Sequence, residues 1–137
     1  MRHYVGLDVS LNETAICVVD ETGIVVREGK VASEPEEISD WLSGLGFPVA
    51  KVGLEIGGLA RWLYAELRAL GWPAICIDPR RLRAITKTMP VKTDRNDARA
   101  IAQVMRVGWY NIVHIKTEAS QELRWRARSF NAIPFRA

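Results

Sequence analysis

Three stretches near the N-terminus carry the apolar patterning of β-strands. Tyr4–Ser10 is a short apolar run interrupted by one acid, Asp8. Thr14–Asp20 is mostly β-branched, and Ile24–Val31 follows the turn signal Glu21-Thr22-Gly23. Short turns between them predict an antiparallel meander. The period then changes. Ile38, Trp41, Leu42 and Leu45 recur at helical spacing behind Ser33-Glu34-Pro35-Glu36, which reads as a capping box with an early proline. Gly44 and Gly46 stop that helix. Val49–Leu54 predicts a fourth strand with Glu55 at its end, and Gly57-Gly58 allows a sharp turn into a helix lined by Leu59, Trp62, Leu63, Leu67 and Leu70. Gly71 and Pro73 close it before a fifth strand, Ala74–Ile77.

A short basic helix is expected next, with Leu82 and Ile85 inside, broken by Met89-Pro90-Val91. Ala98, Ile101, Ala102 and Met105 then mark one face of a last amphipathic helix. The order β-β-β-α-β-α-β-α-α predicts an α/β protein: a mixed five-stranded sheet, three N-terminal strands antiparallel, with helices on its faces. Trp109-Tyr110 and Ile112–Ile115 suggest a short extended piece, and Thr117–Arg124 the start of another helix. From Trp125 onward no helical or strand period is present, which predicts a frayed tail. The expected division is a folded domain over residues 1–116 and an arm and irregular tail over 117–137.

Composition adds a charge asymmetry. The 137-residue chain is 48% hydrophobic with net charge +3, a globular balance. Residues 1–60 hold 4 basic and 10 acidic side chains, whereas 61–137 hold 15 basic and 6 acidic. A basic half of this kind suits a polyanion. No apolar run approaches membrane-spanning length and the N-terminus lacks a secretory pattern, so a cytoplasmic protein with no membrane partner is expected. Cys17 and Cys76 lie in apolar runs and read as reduced core residues.

The candidate chemistry lies in four acids. Asp8 interrupts the first strand and Glu55 ends the fourth; a central parallel pairing would set them side by side. Asp94 and Asp97, in Lys92-Thr93-Asp94-Arg95-Asn96-Asp97-Ala98, lie four residues before Ala98 and Ile101 and so continue the inward face of the last helix. Each has a plainer reading: Asp8 capping the turn at Ser10-Leu11-Asn12, Glu55 a solvated strand end, Thr93 or Asp94 a helix cap with Asp97 favouring the helix's positive end. As a set, four converging carboxylates would repel and raise one another's pKa unless divalent cations lay between them. Mg²⁺ or Mn²⁺ suits such oxygen donors, and two ions about 4 Å apart clamp the attacking and leaving oxygens of a phosphodiester. Arg80, Arg81, Arg83, Lys87, Lys92, Arg95 and Arg99 cluster near the acids and are expected to contact nucleic-acid backbone. Trp109 and Tyr110 read as packing residues rather than base-stacking ones, His114 as a core histidine, and Ser10 as a turn residue.

Val5-Gly6-Leu7-Asp8-Val9-Ser10, Gly53-Leu54-Glu55-Ile56-Gly57-Gly58 and Lys92–Ala98 together resemble the signature blocks of DEDD-type insertion-sequence transposases, bacterial recombinases that include the Piv invertases. The resemblance runs from about Tyr4 to about Arg124. It implies a ribonuclease H-like (RuvC-like) domain whose four acids are Asp8, Glu55, Asp94 and Asp97, acting with Mg²⁺ on insertion-sequence DNA. It also implies an element-encoded guide RNA in some relatives and a homo-oligomer of the full-length form. Family members continue past the position of Arg124 into a long helical arm and a domain with a serine nucleophile, which no serine here matches. The out-of-pattern tail is what a frameshift or truncation would leave. Two alternatives follow: a remnant that only binds nucleic acid, and a RuvC-like nuclease for branched DNA. An actin-like ATPase fragment would need a second glycine-rich phosphate loop, absent from this length.

Overall fold

The computed structural model describes residues 1–78, Arg80, Arg83 and 94–114, without the side chains of Asp94, Arg95 and Asn96. The elements are β1 (His3–Val9), β2 (Glu13–Asp20), β3 (Val25–Ala32), α1 (Pro35–Ser43), β4 (Lys51–Glu55), α2 (Gly58–Ala69), β5 (Ala74–Ile77) and α3 (Asp94–Val107). Apart from Arg80 and Arg83, the expected basic helix lies outside the described residues, as do the stretch leading into Asp94 and the arm and tail over 117–137. The sheet order is β3-β2-β1-β4-β5, with β1–β2 and β2–β3 antiparallel and β1–β4 and β4–β5 parallel. This is the mixed five-stranded sheet expected from the pattern.

Alternation along the strands divides the interior in two. Val5, Leu7, Ile16, Val18, Val52 and Leu54 pack under α1 and α2, against Ile38, Leu42, Leu63 and Leu67. Tyr4, Ala15, Cys17 and Val19 turn the other way and meet Ala98, Ile101, Ala102 and Met105 of α3. Burying each large aliphatic side chain is worth about 1.5–3 kcal/mol, so both layers hold the sheet between them. Cys17 and Cys76 are free and buried; burial is the main cause that pushes each thiol up to about 12.

The meander turn is held by Asp20. Its Oδ1 accepts from the Thr22 hydroxyl at 2.6 Å and from the N–H groups of Thr22 and Ile24, which lowers its pKa. Gly23 supplies the positive φ of 93° that the turn requires.

Four sequence expectations change. The capping box does not form: the N-cap of α1 is Glu34, without a side-chain cap bond. Ser33 Oγ instead donates to the Ser10 carbonyl at 2.6 Å and lies 2.8 Å from the Thr14 hydroxyl, a buried tertiary pairing that outcompetes the local one. Leu70 is 50% exposed, because α2 has ended by then. His114 is exposed rather than in the core. Its segment makes only an antiparallel bridge, Ile77 to Ile112, with Val113 N–H donating to the Cys76 carbonyl at 2.8 Å. That edge position leaves Ile112 44% exposed. Finally, Trp109 is 44% exposed, while Tyr110 packs against the α3 layer as expected.

The fit of α3 on the sheet depends on two glycines. A Cβ on Gly6 would collide with the backbone of α3, at the Ala98 carbonyl and the Ala102 amide. A Cβ on Gly53 would meet the Met105 thioether, the end of a flexible side chain. We therefore expect Gly6→Ala to lower stability by about 1–3 kcal/mol or more, since backbone cannot swing aside. Gly53→Ala should cost distinctly less. Thermal unfolding of the two variants checks this; equal losses would contradict the account.

Candidate active site at the carboxyl ends of β1 and β4

The parallel register pairs Tyr4 with Lys51 and Leu7 with Leu54. Asp8 and Glu55 are the next residues along, so they sit side by side where the two central strands end. Alternation puts Leu7 and Leu54 into the α1/α2 layer and leaves Asp8 and Glu55 in phase with Gly6 and Gly53, on the side that α3 covers. A cleft of about 370 Å³ opens beyond these strand ends, bounded by Asp8–Leu11 on one side and by Glu55–Ala60, which runs into α2, on the other. Asp8 is half-buried in its wall. Clefts outside the carboxyl ends of neighbouring strands are the habitual ligand sites of such sheets.

Helix α3 crosses the sheet with its N-terminal end toward this cleft. Ala98 and Ala102 lie over Gly6, Met105 lies over Gly53, and Tyr110, beyond the helix, accepts a 2.6 Å hydrogen bond from Lys51 Nζ at the opposite end of β4. Asp97, one residue before the Gly6 contact, is half-buried, and its charge acts on Glu55.

Glu55 records the competition. Its carboxyl is raised above the ordinary 4.5, chiefly by burial; Asp97 raises it further and Arg83 pulls it down. Glu55 is nonetheless an exposed residue overall, so its burial is only partial. The Arg83 side chain is exposed, and its charge nonetheless reaches Glu55.

Of the four acids, then, Asp8 and Glu55 share a cleft and Asp97 is electrostatically linked to Glu55. Asp94 is the first residue of α3, with its side chain outside those described. Among the described residues no three acidic, histidine or cysteine side chains lie close enough to hold an ion by themselves. The donors that meet here are carboxylate oxygens, which fit a hard divalent cation.

The basic residues separate. Arg80 is exposed, its backbone N–H donating to Asp78 Oδ1 at 2.9 Å and its guanidinium 3.8 Å from the same carboxylate. Arg81, Lys87 and Lys92 lie outside the described residues, as does the side chain of Arg95. Arg99, expected on phosphate, instead forms a two-pronged pair with Glu28 of β3, Nε and Nη2 donating at 2.8 and 2.7 Å. The partners are 71 residues apart, and no local signal in the sequence announces them.

Residues 5–132 match the family described as Transposase, the DEDD transposases of IS110-type elements. The transposase for insertion sequence element IS1111A of Coxiella burnetii (strain RSA 493 / Nine Mile phase I) is 29% identical over 119 residues, covering 87% of this chain and 31% of that protein. This chain thus spans under a third of the length of that relative, at 31%. RuvC of T. thermophilus, solved in complex with a Holliday junction substrate, has a TM-score of 0.58 at 16% identity, covering 82% of this chain and 100% of that one. Another Thermus thermophilus RuvC structure gives 0.55 at 16% identity, over 81% and 99%. No described helix is long and apolar enough to cross a membrane. The sheet is therefore ribonuclease H-like in the RuvC manner, and the chain belongs to the DEDD transposases of insertion sequences, of which it forms an N-terminal domain.

Proposed function

We propose that Asp8, Glu55, Asp94 and Asp97 hold divalent metal, Mg²⁺ or Mn²⁺, for cleavage and transfer of insertion-sequence DNA strands. The observation that carries this reading is the shared cleft of Asp8 and Glu55 with the charge of Asp97 acting on Glu55, in a chain of this family. When bound, such ions stabilise the attacking and leaving oxygens of a phosphodiester. The chain's own contribution is placement. Two strand ends fix Asp8 and Glu55, and the seating of α3 on Gly6 fixes Asp97. Arg83 brings a positive charge beside the acids, where a scissile phosphate would need it. Arg80, with Arg81, Lys87, Lys92 and Arg95, would extend that field along the DNA backbone. The Arg99 guanidinium, by contrast, is engaged by Glu28.

Full transposition belongs to the longer protein, so the direct test is metal-dependent nicking of element-end DNA by this chain. Asp8→Asn and Glu55→Gln should each lower the rate by at least about 100-fold, the upper range for the loss of mere outer-shell partners. DNA binding that persists at low salt in both variants, and weakens steeply as salt rises, would accompany that loss. Cleavage at the wild-type rate in Asp8→Asn would overturn the assignment. The same salt series with structured element RNA tests the guide-RNA partner that the family resemblance implies.

Glu55 also gives a pH test. An acid whose folded pKa is raised favours the native state when protonated and opposes it when ionised, so its ionisation weakens folding as pH rises above the ordinary 4.5. Glu55→Gln should therefore raise the melting temperature at neutral pH, and the gain should vanish below that value. In carboxyl NMR titrations Asp97→Asn should move Glu55 downward and Arg83→Gln should move it upward. Shifts of the opposite sign would contradict the charge arrangement.

A further inference from the structure

Helix α3 is anchored on one flank by a polar stripe. Arg99 grips Glu28 of β3 with paired 2.8 and 2.7 Å hydrogen bonds. One turn on, Gln103 Nε2 donates to the Gly23 carbonyl at 2.8 Å, in the β2–β3 turn. Arg106 Nε donates to Gln103 Oε1 at 2.8 Å, and its guanidinium lies against Gly23. Residues 99, 103 and 106 are spaced i, i+4, i+7 and share a side of the helix.

Asp97 lies two residues before Arg99, about 160° around the helix from it at 3.6 residues per turn. The sheet order makes this opposition useful. The stripe reaches toward β2 and β3 on one side of β1, while Asp97 acts on Glu55 of β4 on the other. Between them the helix backbone rests on Gly6 of β1, a contact with no intervening side chain. The buried face of α3, with Ile101 and Met105, sets its seat on the sheet. The flank bonds add a polar hold on its roll.

We propose that Arg99 is a positioning residue: its pairing with Glu28 fixes the roll of α3 and thereby holds Asp97 against Glu55. This rests on the reading of Asp97 as a metal-binding carboxylate. Among the described residues, the charges acting on Glu55 are those of Arg83 and Asp97, and Arg99 is not one of them. Its effect is therefore expected only through the helix.

The test is Mn²⁺ calorimetry on the full chain, wild type, Arg99→Ala and Glu28→Gln, each checked for cooperative unfolding. Both variants should bind Mn²⁺ about 10- to 100-fold more weakly, the effect known for groups that orient metal ligands. Glu28→Gln leaves α3 untouched and carries the test if Arg99→Ala fails to fold. The decisive arm is a cycle with Asp97→Asn. In that background Arg99→Ala should change Mn²⁺ affinity by less than about twofold, because the residue it positions is gone. The reciprocal exchange, Arg99→Glu with Glu28→Arg, should recover most of the lost affinity. An undiminished affinity in Glu28→Gln, or the same loss with and without Asp97, would overturn the proposal. No Mn²⁺ heat from wild type would instead count against the metal site. Amide exchange over Ala98–Ala102 would then decide for Arg99: at least tenfold faster exchange in Glu28→Gln upholds the tether, and no change overturns it.

Discussion

At Gly6 the backbone of α3 rests directly on the backbone of β1. No other side chain fits there, since even one methyl group would meet the Ala98 carbonyl and the Ala102 amide. Close approach of a helix to a central strand sets its height and its crossing point, and the remaining contacts follow. Ile101 and Met105 fill the layer beside it, and Cys17 and Val19 close the far side. The functional consequence lies two residues along. Asp8 follows Gly6 by two residues on β1, and Glu55 follows Gly53, which meets the Met105 side chain, on β4. In this fold the packing glycine and the acid are one device, spaced by the two-residue period of a strand.

That arrangement stores electrostatic tension. Glu55 is held partly desolvated and next to another acid, against the interest of stability, with Arg83 only partly offsetting the cost. Perturbed acids of this kind cluster at functional sites. Other described groups do the opposite. Asp20 is stabilised by its turn donors, Arg99 is paired, and both cysteines stay protonated in the core.

Much of the fold was legible because it depends on short-range patterning. Alternation marked the meander, the spacing of Ile38 and Leu42 marked α1, and two interrupting acids marked the ends of β1 and β4. What escaped the sequence was long-range choice. Ser33 had a local role available and took a partner at Ser10 instead, 23 residues away. Arg99 looked like its basic neighbours until β3 supplied Glu28. His114 sat in an apolar run whose neighbours turned out to lie on the sheet's edge. Pairings of this kind depend on which strands become neighbours, a fact no window of residues contains. Asp8 and Glu55 could be picked out because strand ends are local marks, while their shared cleft required the β1–β4 register.

The central claim is that this register and the seat of α3 bring carboxylates to one cation-binding cleft. A crystal grown with Mn²⁺ tests it most directly, through anomalous scattering. The account predicts a peak between Asp8 and Glu55, with the carboxylate of Asp97 turned toward it. A peak elsewhere on the chain, or none in the cleft at saturating Mn²⁺, would contradict it.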